Sequence, residues 1–263
     1  AYALALSDLI ISPATPSNTA RGGGILYPIV RSLSSAFGSE PGETSRKIGS
    51  YLMKSSFQVN CITSAMFLTS VAPNSLVAAL ALKTAGVNLS WGTWALAGIV
   101  PGMIALAVCP YVVYLMYPPE IKKTPEAKEI AKREIEKMGP MSAGEKVVAI
   151  TFVSALLLWS TASFTKLDAT FSAILCVGIM LLGQALTWQD VLEEKGAWDT
   201  LVWMGGLISL ASALSTYGLI GWLSKLIGSS LIGLSWMTAL GILLLAYMYS
   251  HYFFASLSAH VTA

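Results

Sequence analysis

Long apolar runs alternate with short polar interruptions along this chain, and the interruptions carry most of the information. Ala1 to Ile11 is apolar, Ser12 to Gly24 reads S-P-A-T-P-S-N-T-A-R-G-G-G, and Ile25 to Phe37 is apolar again. A helix needs roughly 20 mostly apolar residues to span a bilayer, so neither arm crosses alone. Pro13 and Pro16 end the first arm because proline has no backbone donor to continue a helix. Two short arms meeting at a polar tip predict a re-entrant hairpin. Such a tip is tolerated inside a membrane only where it is buried in protein or lines a wet cavity.

The same pattern continues downstream. Gly38 to Lys54 is a polar loop. Phe57 to Leu82 is apolar but interrupted at Ala72-Pro73-Asn74-Ser75, which predicts one broken helix with Asn74 as N-cap of its second half. Trp94 to Tyr117 predicts a clean span containing Pro101 and Pro110. Pro118 to Lys146 is a charged connector, and its stretch from Glu126 to Lys137 has the opposite-charge i,i+4 spacing of a solvated helix. Val147 to Ala162, Phe171 to Thr187, Leu201 to Leu214 (continuing toward Leu226) and Leu234 to Tyr249 predict further spans, with a charged loop from Trp188 to Asp199. The last span runs into a second polar break, Ser250 to His260.

The two breaks correspond. P-S-N-T-A-R around Ser17 matches A-S-L-S-A-H around Ser256 in hydroxyl, alanine and cationic positions, and the charged connector lies between them. Inverted repeats whose broken helices meet at mid-membrane are a common plan for secondary transporters. Residues 1–117 are therefore expected to end a first repeat, 118–146 to form a cytoplasmic linker, and 147–263 to begin a second repeat. The chain opens inside an apolar run and closes just past a break, so it is expected to be an internal piece of a longer protein, truncated in its second hairpin.

Composition sharpens the fold class. The 263 residues are 55% hydrophobic and 11% charged, where a soluble domain carries about 25% charge. The expected fold is an all-α integral membrane protein with several spans, hairpins and broken helices. A net charge of +2 gives no handle on nucleic acid. The 3 cysteines, Cys61, Cys109 and Cys176, sit in apolar runs without C-x-x-C spacing and read as small buried hydrophobes. Arg46, Lys47, Lys54, every lysine of the connector together with Arg133, and Lys195 fall on one side, against Lys83, Lys166 and Lys225 on the other. That excess marks the first side as cytoplasmic, or stromal in a plastid. No G-x-x-x-x-G-K-[ST], G-x-S-x-G or H-E-x-x-H occurs. The chain is not expected to be an enzyme, and no cofactor or metal site is expected.

Few ionisable groups lie at membrane depth: Asp8, Arg21, Arg31, His251 and His260. An intramembrane charge costs at least ~2.5 kcal/mol, so each is a functional candidate. Arg21 stands beside the hydroxyl and amide donors of Ser17, Asn18 and Thr19, an arrangement suited to a carboxylate. His260, near Ser256 and Ser258, offers a second anchor, and two anchors point to a ligand with two carboxylates. With Asn74 at the broken helix, the expected substrate-binding set is Ser17, Asn18, Thr19, Arg21, Asn74, Ser256, Ser258 and His260. Other readings stay open: Arg21 pairs with Asp8 or reaches the inner interface, His260 is neutral on a backbone carbonyl, and Asp8 neutralises Arg21 or takes a proton.

Four stretches carry a family likeness: P-S-N-T-A-R-G-G-G-I-L-Y-P-I from Pro16, M-F-L-T-S-V-A-P-N from Met66, A-W-D-T-L-V-W-M-G-G from Ala197 and S-H-Y-F-F-A-S-L-S-A-H-V-T-A from Ser250. In this order they resemble the divalent anion/sodium symporter family, and within it the branch of plastid 2-oxoglutarate/malate translocators and bacterial citrate/succinate and tartrate/succinate antiporters. The resemblance implies an elevator-type homodimeric carrier of di- or tricarboxylates in a bacterial inner membrane or plastid inner envelope. It also implies two hairpins, each holding a substrate carboxylate with a Ser-Asn-Thr motif. Ser17, Asn18 and Thr19 match the first motif. The second reads Ser256-Leu257-Ser258, with Leu where sodium-coupled members carry Asn, and Ser70-Val71-Ala72 replaces a Gly-rich sodium-site sequence. These departures favour exchange over sodium symport, with Arg21 and His260 supplying the charge that sodium would otherwise give. Sodium-coupled uptake of the same anions and a non-transporting membrane scaffold are the alternatives.

Overall fold

The computed structural model of the chain describes residues 1–124, 127–254 and 257–262, and every regular element among them is helical. Helix α1 (Tyr2–Ile11) runs into a 3-10 turn at Ser12–Ala14. The backbone is extended at Thr15 (φ −121°, ψ 94°) and turns helical again at Asn18. Ala20–Leu26 winds as a π-helix and continues as α2 (Tyr27–Ala36). The π segment holds Gly22, where an added Cβ would lie 3.4 Å from the Asn60 side chain, so a neighbouring helix sits directly on the glycine backbone. Leu4, Val30, Ile48 and Leu52 form one buried cluster. The two arms are thus antiparallel, with their mouth beside the start of the next helix, as the hairpin reading requires.

Helix α3 (Gly49–Met66) breaks at Phe67 and resumes as α4 (Ala72–Ala85), which ends on Gly86 in a left-handed conformation (φ +68°). The break precedes Pro73 instead of falling on it. Proline in the first turn loses an N–H that has no helical partner there. Asn74 is not the N-cap of α4: Val71 occupies that position without a side-chain cap. Asn74 Nδ2 reaches back to the carbonyls of Ser64 (2.8 Å) and Phe67 (2.9 Å), closing the exposed end of α3. The sequence expectation placed it at the wrong helix end, because both ends meet within one turn.

Helix α5 (Trp91–Met116) returns antiparallel along α3. Tyr51 packs edge-on against Tyr114 at 5.9 Å, and Tyr51 donates to the Pro110 carbonyl (3.3 Å). Gly98 and Gly102 meet the end of α3: a Cβ on Gly98 would come within 2.7 Å of the Met66 carbonyl oxygen. Small residues four apart allow this close approach of helix backbones.

The solvent preference of the bundle is inverted. Buried groups on α3 include Ser55, Ser56, Asn60, Thr63 and Ser64, whereas Leu96 and Met116 of α5 are 76% and 80% exposed. Water-soluble domains bury the apolar set; a polar interior under an apolar exterior suits hydrocarbon as solvent. Trp91–Met116 and Ala143–Ser160 are each long and apolar enough to cross a membrane.

The connector carries the expected helix, α6 (Ala127–Met138). Next comes α7 (Ala143–Ser160), begun by a reciprocal cap in which the Glu145 N–H donates to Ser142 Oγ (3.2 Å) and the Ser142 N–H donates to the Glu145 carboxylate (2.6 Å). A short α8 (Ala162–Thr165) leads to α9 (Ala169–Leu182), which packs on α7 through Ala155, Trp159 and Cys176. After α10 (Trp188–Glu193), α11 (Lys195–Thr216) contains the expected span Leu201–Leu214 and stops short of Leu226, where a separate helix, α12 (Leu219–Leu231), follows. Gly218 at φ +80° makes the turn between them. Helices α13 (Trp236–Ser250) and α14 (Leu257–Thr262) flank the second break. Of the cysteines expected to be buried, Cys176 is, Cys109 is half-buried and Cys61 is exposed.

The Gly98 contact makes a stability prediction. Gly98→Ala in the full-length protein should lose about 1–3 kcal/mol through overpacking, seen as a lower unfolding midpoint in detergent. Gly178→Ala on α9, where a Cβ meets nothing within 4 Å, should be neutral or slightly stabilising. Equal midpoints for the two variants would contradict this packing.

Candidate functional site

The hairpin tip and the broken helix are laced to each other. The Ala72 N–H donates to the Pro16 carbonyl (3.1 Å), and the Thr69 hydroxyl donates to the Pro13 carbonyl. Trp91 Nε1 holds the Thr69 hydroxyl (3.0 Å), and Trp94 Nε1 holds the Ala65 carbonyl (2.9 Å). Helix N-termini at Asn18 and Ala72 therefore meet the C-terminal ends of α1 and α3 at one crossing. Such ends carry unsatisfied N–H and C=O groups and partial charges of opposite sign.

Arg21 fills the crossing. Arg21 and Asp8 are both 0% exposed and joined at 2.7 Å through Nε. One terminal nitrogen donates to the carbonyls of Thr15 and Ser70, both at 3.1 Å. The other reaches Ser64 Oγ (2.8 Å), Thr63 Oγ1 (3.2 Å) and the Asn60 carbonyl (3.4 Å). Thr63 also donates to the second Asp8 oxygen (2.6 Å). A guanidinium has five N–H donors in a fixed fork, and each nitrogen here already has protein acceptors. Of the open readings, the geometry is that of the Asp8 pair. The fork is turned into the crossing, with every nitrogen on a protein acceptor, so the expected bidentate contact from Arg21 to a ligand carboxylate would require some of these bonds to be given up.

The small polar residues face the other way. Ser17 caps the helix, its Oγ accepting the Ala20 N–H (3.1 Å) and its carbonyl accepting the Arg21 N–H (3.0 Å). Ser17 and Asn18 are half-buried and Thr19 is exposed, with Thr19 Oγ1 at 3.5 Å from Asn18 Oδ1. With the Ala20 and Arg21 N–H groups held by Ser17, the Asn18 side-chain amide and the Asn18 and Thr19 N–H groups stand at the helix N-terminus, the end of a helix that attracts anions. Beside it a largely apolar cavity of about 620 Å³ separates the crossing from α7 and α9; Thr15, Pro16, Thr69, Ser75 and Thr151 line it, while Ser17, Asn18 and Thr19 do not. Arg31, expected at depth, sits at the hairpin mouth paired with Glu40 at 2.5 Å.

At the second break, His260 is 4% exposed and stacked on Tyr247 at 4.1 Å. Its ring nitrogens meet Ser250 Oγ (2.9 Å) and His251 Nδ1 (3.3 Å), in place of a backbone carbonyl. Helix α14 packs against α4 and α11, which brings the second break onto the helix laced to the first. Ser256 and the Ser258 side chain lie outside the described residues. Asn74 directs its amide N–H groups to the end of α3, at the Ser64 and Phe67 carbonyls. The residues that sequence reasoning missed are the partners of Arg21: Thr15, Asn60, Thr63, Ser64 and Ser70. For those on α3 a signal was present, as polar residues at 56, 60, 63 and 64 on one face of the helix.

The family profile described as the sodium:sulfate symporter transmembrane region matches residues 1–263. The chain belongs to that family. Among relatives, a Bacillus subtilis (strain 168) protein named for malate transport, YflS, is 51% identical over 90% of this chain and 50% of its own length. Dicarboxylate transporter 1, chloroplastic, of Spinacia oleracea is 45% identical over 100% of this chain and 47% of its own. The L-tartrate/succinate antiporter of Escherichia coli (strain K12) is 38% identical over 100% and 54%. The chain thus spans about half the length of these relatives, and it is integral to a membrane.

If the Asp8–Arg21 pair locks the crossing, removing one partner strands a buried charge, at a cost of about 3–5 kcal/mol. Asp8→Leu and Arg21→Met should each lower the unfolding midpoint of the full-length protein markedly. The double variant should regain much of the loss. Additive losses in this cycle would show that the two charges are not coupled.

Proposed function

We propose that the full-length protein exchanges di- or tricarboxylates across its membrane by elevator-type alternating access, without sodium. The supporting observation is the caged guanidinium. In carriers with broken helices, unwound carbonyls and helix C-terminal ends coordinate the coupling cation. Here the carbonyls of Thr15, Asn60 and Ser70 and the hydroxyls of Thr63 and Ser64 surround a covalently attached cation. A cation that never leaves needs no sodium gradient to fill the place.

In this reading one substrate carboxylate is held by Ser17, Asn18 and Thr19 at the helix N-terminus. Arg21 contributes by fixing that terminus. The second carboxylate belongs to Ser256, Ser258 and His260; α14, which carries His260, packs against α4. Residues 1–117 and 147–263 act as parts of two repeats joined by the connector, and the working unit is a homodimer. The names of the relatives cover malate, dicarboxylates and tartrate/succinate, and this class of small anions suits a two-anchor site.

Counterflow of labelled malate, 2-oxoglutarate, succinate, citrate and tartrate by the reconstituted full-length protein should proceed in sodium-free buffer. Asn18→Ala, which spares the Ser17 cap, should raise KM at least about tenfold through loss of a bond to a charged ligand. Arg21→Ala should abolish exchange while the protein still reaches the membrane. A strict sodium requirement would restore the symport reading, and an unchanged KM for Asn18→Ala would remove the motif from the site.

A further inference from the structure

Away from the crossing, at the end of the bundle that gathers the basic loops, α3 and α5 leave a groove of about 780 Å³ between them. Its α3 wall is Ser50, Met53, Lys54, Phe57 and Gln58, a single helical stripe, and its α5 wall is completed by Val113, Met116 and Tyr117. The inner walls are apolar, and Phe57 is 67% exposed on them. The mouth is cationic. Lys54 Nζ stands 3.3 Å from the Tyr117 ring centroid and the Arg46 guanidinium carbon 4.2 Å from it.

Two like charges held against one ring repel each other. Among the described residues, neither Arg46 nor Lys54 has a carboxylate at ion-pair distance, although Arg31 nearby takes Glu40. The rim extends further. The Glu120 N–H donates to the Arg46 carbonyl (3.1 Å) and the Ile121 N–H to the Lys47 carbonyl (2.9 Å), which stitches the segment bearing Lys122 and Lys123 to the loop before α3. Glu43 and Glu120 are the unpaired acids of these two segments, fewer than the cations. A cationic mouth alone would fit any phosphate. A cationic mouth continuous with an apolar slot facing the bilayer fits an amphiphile with an anionic head. Basic pockets between spans on the cytoplasmic side recognise such headgroups.

We propose that the α3–α5 groove binds one anionic phospholipid, its phosphate between Arg46 and Lys54 at Tyr117 and an acyl chain along Met53, Phe57, Val113 and Met116. The site lies at the opposite end of α3 from the crossing, so it is independent of the transport reading. The lipid steadies the contact between α3 and α5 at the membrane surface.

The test uses the full-length protein in nanodiscs of phosphatidylcholine with or without phosphatidylglycerol, read by native mass spectrometry and by the unfolding midpoint. Wild type should retain one phosphatidylglycerol and unfold at a higher temperature with it. Arg46→Gln/Lys54→Gln should weaken that retention about thirtyfold, at about 1 kcal/mol per basic residue, with an unchanged midpoint in phosphatidylcholine alone. Val113→Trp, which fills the slot and keeps both cations, should also lose it. Should the double variant not fold, competition on wild type decides: short-chain phosphatidylglycerol must stabilise, while short-chain phosphatidylcholine and inorganic phosphate must not. Equal retention by wild type and the charge variant, stabilisation by inorganic phosphate alone, or a cross-link placing another protein helix in the groove would overturn the proposal.

Discussion

A buried guanidinium cannot be left short of acceptors, and that requirement organises the first half of this protein. Arg21 reaches Asp8 on α1, the carbonyls of both interrupted segments at Thr15 and Ser70, and the polar face of α3. In hydrocarbon each open carbonyl would otherwise cost several kcal/mol. The breaks and the arginine therefore solve each other's problem: the helix ends need donors and the cation needs oxygens. Asn74 repeats the device with a neutral amide, closing two further carbonyls at the end of α3. Neither interruption is stable without the other, which is why the hairpin tip and the broken helix lie at one level.

Replacing a buried ion pair with apolar residues of similar volume is often neutral or stabilising, so stability alone does not explain this one. Its effect is positional. The fork geometry fixes where α1, the π segment and α3 stand relative to each other, and hence where Ser17, Asn18 and Thr19 open. A glycine-rich π-helix would otherwise be a weak platform, since glycine loses the most conformational freedom on ordering. The chain anchors it from inside with Arg21 and from beside with Asn60 against Gly22.

Much of this was legible in the sequence, and the failures share one cause. Run lengths and prolines located the hairpin, the break near Pro73 and the long helix from Trp91, because hydrocarbon forces apolar residues onto the outer surface. The Ser17 motif was visible for the same reason, as polarity that a membrane cannot ignore. Arg21 was read toward a ligand and Asn74 toward α4 because sequence spacing gives no direction across space. Both side chains bond to segments about 10 to 50 residues away, and only the crossing shows which carbonyls are open. Whether the span from Leu201 ended near Leu214 or ran on to Leu226 stayed open in the sequence, because the runs flanking Gly218 are apolar on both sides.

The neutrality of the pair bears on how such a carrier would move its cargo. Sodium adds a positive charge when it binds and removes it when it leaves. Arg21 with Asp8 adds none in either state, so on the exchange reading the loaded carrier differs from the empty one by the charge of the anion. Moving one elementary charge across a membrane potential costs about 2.3 kcal/mol per 100 mV, and a dianion crossing alone would bear twice that. Returning with a second anion of equal charge cancels the term. A fixed, neutralised cation at the crossing thus penalises one-way movement of the substrate and leaves one-for-one exchange electrically neutral. The pair that fixes the crossing would in that way also favour exchange over one-way movement.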